Sequence, residues 1–296
     1  MQAFSSVHYY TPLPAGHVFP MQKFPQSAAW LVADGTIERV EDPGLIGRED
    51  LLRVHTAEYV DAIRNATLAE QPARKLGLPA GEGLSLRSHA AAAGTLAAAR
   101  AALTDGIAAN LAGGTHHAFA DRGEGFCVFN DVAIAIRALR NDEPWLRVLV
   151  VDLDAHQGNG TNALFASDPA TFTFNVHVGK NYPSAKVPSD VDVPLERFVD
   201  GSVYLRALRE TLPNAVRRAD ADLAFYVSGA DPHEEDRFGQ MRLTTAQMAE
   251  RDRHTIGTLR DAGLPVCVLY GGGYSRLPGV TAALHCQTVR IARSFF

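Results

Sequence analysis

The chain has few cysteines, no long hydrophobic run and no cluster of basic residues, and each shortage removes a class of protein. Cys127, Cys267 and Cys286 are far apart, odd in number and form no Cys-x-x-Cys pair. That pattern argues against a disulfide framework and for a reducing compartment. The alanine-rich stretch Ala90–Leu103 is interrupted by Gly94 and Arg100, and is too short and polar to span a bilayer. The first ten residues lack the basic start and apolar core of a secretory signal, so a cytoplasmic protein with no membrane partner is expected. A net charge of −5 without a Lys/Arg cluster leaves no standing surface for nucleic acid. No repeat, low-complexity tract or long Pro/Ser linker divides the 296 residues, and 46% of them are hydrophobic. Residues 1–296 therefore read as a single domain with enough apolar material for a substantial core.

What the chain does have is alternation. Strand-like runs fall at Val148–Leu153, Thr171–Val178, Leu223–Ser228 and Val266–Tyr270, with a shorter one near Ala108–Ala112. Helical patterns occupy Thr56–Ala69, Ser85–Thr104, Asp131–Arg140, Gly201–Arg218, Thr244–Ala262 and Pro278–Ser294. Thr244 followed by Gln247 fits a capping box, and Gly263-Leu264-Pro265 fits a helix stop. Strand–helix alternation implies an α/β fold: an open, mostly parallel sheet flanked by helices. Such sheets bind ligands beyond the carboxyl ends of their strands.

That is where the polar clusters fall. Asp152-Leu153-Asp154-Ala155-His156-Gln157-Gly158-Asn159-Gly160 follows one strand, and Gly229-Ala230-Asp231 follows another. On an extended chain, residues two apart face the same way, so Asp152, Asp154 and His156 are expected to project together. Alone, Asp-x-His reads as a turn-capping aspartate beside a core histidine. Asp231 at a second strand end reverses that reading: Asp154, His156 and Asp231 make a three-ligand set suited to a catalytic Zn²⁺. His116-His117, behind Gly113-Gly114, can move protons near neutrality, although a histidine pair in a loop is as compatible with exposure or with further ligands. Tyr274, behind Gly271-Gly272-Gly273, offers a hydroxyl on a mobile loop or an aromatic packed on a helix start. His177 reads as a core residue, and His233, beside Pro232 and Glu234-Glu235-Asp236, as part of a surface loop.

Taken in order, six segments resemble the histone deacetylase family of zinc-dependent amidohydrolases. They are Pro14–His17, Gly113–His117, Gly125–Asn130, Asp152–Gly160, Gly229–His233 and Gly271–Tyr274. The Asp-Ala-His-Gln-Gly-Asn wording and the Asp236-Arg237-Phe238-Gly239 stretch are most similar to the class IV branch and its bacterial relatives. The resemblance implies the arginase-deacetylase fold and one Zn²⁺ on Asp154, His156 and Asp231. It also implies a structural K⁺ near Asp152, Asp154 and His156. It makes His117 the general base and later acid, His116 the residue that tunes the charge beside it, and Asp152 the carboxylate that orients His116. Tyr274 would hydrogen-bond the substrate carbonyl, while Gly125, Phe126, Tyr182, Phe238 and Gly272 would line the substrate site. The implied substrate is an acyl-lysine protein or peptide, or a small N-acylated amine.

The sequence departs from the family at several points. Asn159, a neutral group, partners His117 where class I members have Asp. Asn175 stands where many relatives place Ser beside the K⁺ site. Leu78-Pro79 occupies the region of the rim Asp that grips peptide substrates. Phe238 stands where polyamine-selective relatives carry a gatekeeping Glu, which weighs against an acetylpolyamine. An arginase-like ureohydrolase would need a second metal and further Asp ligands. A non-catalytic acyl-lysine binding module would have no need of His117 and Tyr274 beside a complete ligand set.

Overall fold

The computed structural model describes residues 1–296. Seven strands, β1 (Ala3–Phe4), β2 (Ile107–Asn110), β3 (Val148–Asp152), β4 (Thr171–Val178), β5 (Val191–Leu195), β6 (Leu223–Ser228) and β7 (Val266–Tyr270), form one sheet in the order β1-β2-β7-β6-β3-β4-β5. Every pairing is parallel, so the sheet expected to be mostly parallel is wholly so. Parallel strands need crossovers, and helices supply them on both faces. That explains why β3, β6 and β7 are buried along their whole length and are largely apolar up to their carboxyl ends.

The helices are α1 (Lys23–Ala33), α2 (Arg48–Leu51), α3 (Ala57–Arg64), α4 (Glu70–Leu76), α5 (Glu82–Asp105), α6 (Asp131–Asp142), α7 (Asn159–Phe165), α8 (Gly201–Ala219), α9 (Thr245–Asp261) and α10 (Val280–Arg293). The alanine-rich segment is α5, whose small side chains let it lie against α6, β2 and β7 at once. Thr244 and Gln247 form the expected capping box at the start of α9. No helix is long and apolar enough to cross a membrane.

Six elements carry no sequence pattern that marks them: β1, β5, α1 and the short helices α2, α4 and α7, each of the three spanning two turns or fewer. β1 has two residues, too few for a pattern. β5 is a half-exposed edge strand containing Pro194, tolerated there because an edge leaves one side of the ladder unpaired. α1 follows the proline-rich opening, which hides its periodicity. β2 lies at Ile107–Asn110, slightly ahead of the expected Ala108–Ala112.

Beneath the sheet's carboxyl ends lies a buried ion pair. Arg251 of α9 donates to Asp252 Oδ1 at 2.8 Å, and also to the backbone carbonyls of Gly229 (2.6 Å) and Leu153 (3.4 Å). Asp252 in turn accepts from Tyr226 (2.5 Å) and Thr288 (2.6 Å). A charge this deep is tolerable only when fully paired. Here the pairing also ties α9 to the two loops that carry Asp154 and Asp231.

Candidate active site

β2, β7, β6 and β3 are neighbours in the sheet, and the loops leaving their carboxyl ends converge. Asp152 is the last residue of β3, so Asp154 and His156 lie beyond the strand. The expectation that strand alternation would project all three together is therefore corrected: turns, not pleats, place them. Asp152 Oδ1 accepts from the Asp154 backbone N–H at 3.1 Å, and Asp154 Oδ1 from that of His156 at 2.9 Å. Each carboxylate thus stabilises the turn that presents the next side chain.

Asp154, His156 and Asp231 are buried, and one ligand atom from each lies within 4.8 Å of the others. His156 Nδ1 is 3.0 Å from Asp154 Oδ1 and 2.9 Å from Asp231 Oδ2. Burial, then the charge of Asp154, pushes the Asp231 carboxyl up to about 7, the response of a site with too much negative charge for its surroundings. A Cβ on Gly272 would intrude between the carboxylates, 2.7 Å from Asp154 Oδ2. Only glycine keeps that space free, and its N–H donates to Asp154 Oδ2 at 2.6 Å. Two carboxylates, an imidazole and a cradle without a side chain fit a divalent cation such as zinc. The potassium expectation gains no such support. The Asn175 side chain accepts from Gly158 N–H at 3.0 Å and donates to Asn162 at 3.1 Å.

The two histidines beyond β2 lie with ring centroids 4.1 Å apart and ring planes tilted by 49°, and meet different partners. His116 Nδ1 lies 2.6 Å from Asp152 Oδ2. Burial opposes its charged form, but Asp152 and Asp154 outweigh burial and raise the imidazole to about 9. His117 Nδ1 lies 2.7 Å from Asn159 Oδ1. Burial, followed by the His116 and His156 imidazoles, holds its pKa well below the ordinary histidine value. The pair is thus split into a ring that favours the cation and a ring that favours the neutral base, a division suited to proton transfer.

Above them opens a cavity of about 320 Å³. Phe126, Tyr182, Phe238 and Tyr274 wall it, with Gly125, His117 and His156 among its other lining residues. Tyr182 stands edge-on to His117 at 4.9 Å, and Phe126 lies 5.6 Å from Tyr274. Tyr274 is not on an open loop: it packs against Phe19, Phe126 and Phe238. Burial, then Asp154 and Asp231, keeps its hydroxyl protonated and able to donate. Gly125 has φ +57°, and a Cβ there would stand 2.7 Å from His117 Cδ2. The residue must be glycine for the wall to come this close to the imidazole.

Residues 17–289 match the family model for the histone deacetylase domain, a span that includes every residue of this site. The chain belongs to the histone deacetylase family. It is 42% identical to an uncharacterized protein of Picosynechococcus sp., over 97% of both chains. It is 30% identical to histone deacetylase 2 of Arabidopsis thaliana, over 88% of this chain and 70% of that one. It is 29% identical to the acetoin utilization protein AcuC of Bacillus subtilis, over 91% and 77% of the two chains. The crystal structure of the HDA15 HD domain superposes with a TM-score of 0.78 at 20% identity, covering 100% of this chain and 90% of that one, which shows a shared fold. Membership supports a hydrolase of the deacetylase or deacylase kind.

Several residues of this deacetylase-family site lay outside the sequence reading. Asn181 and Gln240 line the cavity. Glu124 Oε1 accepts from Asn159 Nδ2 at 2.9 Å. Lys23 and Arg87 are buried and face a smaller cavity behind the histidines. Lys23 Nζ donates to the Gly271 carbonyl at 3.0 Å. No local signal marks either cation; only the packing of α1 and α5 turns them inward. His233 is a correction of the opposite kind. It is 5% exposed, with Nε2 3.1 Å from Thr245 Oγ1, because the loop after Asp231 folds back onto the start of α9.

Proposed function

We propose that the protein hydrolyses the amide of an N-acyl-lysine, or of a similar N-acylated amine, with a zinc ion held by Asp154, His156 and Asp231. One observation carries this reading: His156 of the ligand set, the neutral His117 and the protonated Tyr274 line one aromatic-walled cavity. Zinc bound there supplies Lewis-acid polarisation of the amide carbonyl and lowers the pKa of water. His117 Nε2 takes a proton from the attacking water and then delivers it to the departing amine nitrogen. The Tyr274 hydroxyl donates to the carbonyl oxygen as charge develops on it. His116, held by Asp152, places positive charge beside the reacting centre. Phe126 and Tyr182 wall the lysine methylenes, and Phe238 stands at the mouth.

None of the nine residues lining the cavity is acidic, which favours a neutral acylated side chain over a polycationic acetylpolyamine. A single catalytic domain working in the cytoplasm is part of the same reading. The test is turnover on acetyl-, octanoyl- and myristoyl-lysine peptides and on acetylated polyamines, each with and without a chelator. Chelator-sensitive hydrolysis of a lysine amide is the expected outcome. One zinc bound per chain with no turnover on any substrate would favour a binding module.

A further inference from the structure

An asparagine can offer a histidine either end of its amide, and the two ends impose opposite chemistry. If Oδ1 faces His117, the ring carries its proton on Nδ1 and leaves Nε2 with a free lone pair. If the NH₂ faces it, the proton moves to Nε2 and the ring no longer presents a base to the cavity. An aspartate has no such ambiguity, because a carboxylate only accepts. With Asn159 2.7 Å from His117 Nδ1, something else must choose the end.

Glu124 makes the choice. Its Oε1 lies 2.9 Å from Asn159 Nδ2, and a carboxylate can take only the NH₂ end of an amide. The other end, Oδ1, is thereby turned to His117, and Nε2, which makes no hydrogen bond with the protein, is left as the base. Glu124 is itself fixed by the chain around it. Its carbonyl accepts from Cys127 N–H at 3.0 Å, while Gly125 and Phe126 donate to the Lys75 and Leu76 carbonyls at 3.1 and 2.9 Å. Unlike Gly125, Glu124 does not line the cavity.

We propose that Glu124 is a positioning residue: by holding the amide of Asn159 it sets the tautomer of His117, so that a neutral asparagine can do the work of a carboxylate partner. The proposal rests on the hydrolysis described above, with His117 as its base. Holding the wrong tautomer is costly in a comparable dyad, about 10⁴-fold in kcat where an orienting aspartate becomes asparagine. A loss of about 10²-fold is expected when the asparagine remains but loses its anchor.

The test compares wild type, Glu124→Ala and Glu124→Ala/Asn159→Asp as metal-loaded, histidine-¹⁵N-labelled proteins. The His117 imidazole signals are identified by their loss in His117→Ala. Wild type is expected to show the Nδ1–H tautomer. Glu124→Ala is expected to lose it and to lower kcat with KM nearly unchanged, at an unaltered unfolding midpoint. The double variant, whose aspartate again only accepts, is expected to restore both the tautomer and most of kcat. A Glu124→Ala protein with the wild-type tautomer overturns the proposal. So does a loss of turnover that Asn159→Asp fails to rescue, the mark of a loop merely unsettled. If wild type hydrolyses no amide, the functional reading fails, yet the tautomer spectra still judge the role of Glu124.

Discussion

Replacing Lys23 by methionine should make the metal-free protein more stable relative to wild type at pH 7 than at pH 9.5. Lys23 is 3% exposed, with Nζ 5.3 Å from the Phe19 ring centre and 5.2 Å from that of Phe24. Burial, then the charge of Arg87, lowers its ammonium pKa from 10.5 to about 8, against the pull of Asp231, Asp154 and Asp236. A base whose pKa is depressed on folding binds its proton more weakly in the folded state than in the unfolded one. Its contribution to stability is therefore greatest above pH 10.5 and is lost as pH falls towards 8. At pH 7 both states are protonated, and the interval between the two pKa values amounts to about 3 kcal/mol against folding. At pH 9.5 about half of that remains. The hydrogen bond to Gly271 that methionine forfeits is worth about 1 kcal/mol and is a smaller term. The stability difference between Lys23→Met and wild type should accordingly move against the variant by about 2 kcal/mol between pH 7 and pH 9.5. Urea unfolding of both proteins at the two pH values measures it, since the titrations of groups remote from Lys23 cancel in the difference. A difference independent of pH would refute the reasoning.

Three further outcomes follow from the site and its supports. Tyr274→Phe removes a single donor to the developing oxyanion and should lower kcat by about 10²–10³-fold with little change in KM; near-normal turnover would refute the role. Arg251→Met leaves Asp252 buried without its cation and should cost about 3–5 kcal/mol in urea unfolding, whereas a cost below about 1 kcal/mol would show the pair to be dispensable. Gly125→Ala introduces a Cβ against the His117 ring at a left-handed backbone position, and should lose about 1–2 kcal/mol of stability along with most of its turnover. A fully active Gly125→Ala protein would mean that the cavity wall stands further from the imidazole than described.

Much of this was legible in the sequence because it is written locally. Central strands buried on both faces are mostly apolar, which marks β3, β6 and β7, while β4 is marked by its β-branched and aromatic residues; the expected bounds of all four are nearly correct. The capping box of α9 is a four-residue signal and was equally plain. The site clusters stood out because glycines and ionisable residues directly follow those apolar runs. Local patterns do not carry geometry that distant segments impose. Asp152, Asp154 and His156 converge through carboxylate-stabilised turns rather than strand alternation, and His233 is buried by a loop that folds back.

The sequence by itself determined the α/β alternation, the polar groups at the strand ends and the motifs of the family. Only the tertiary structure decided which of those ends are neighbours. The order β2-β7-β6-β3 brings His117, Tyr274, Asp231 and Asp154 together across more than a hundred residues of chain. The same pairing, with helices packed over it, turns Lys23 and Arg87 inward and sets Glu124 behind Asn159. Those contacts depend on how the sheet is ordered and covered, and no residue's immediate neighbours carry that information.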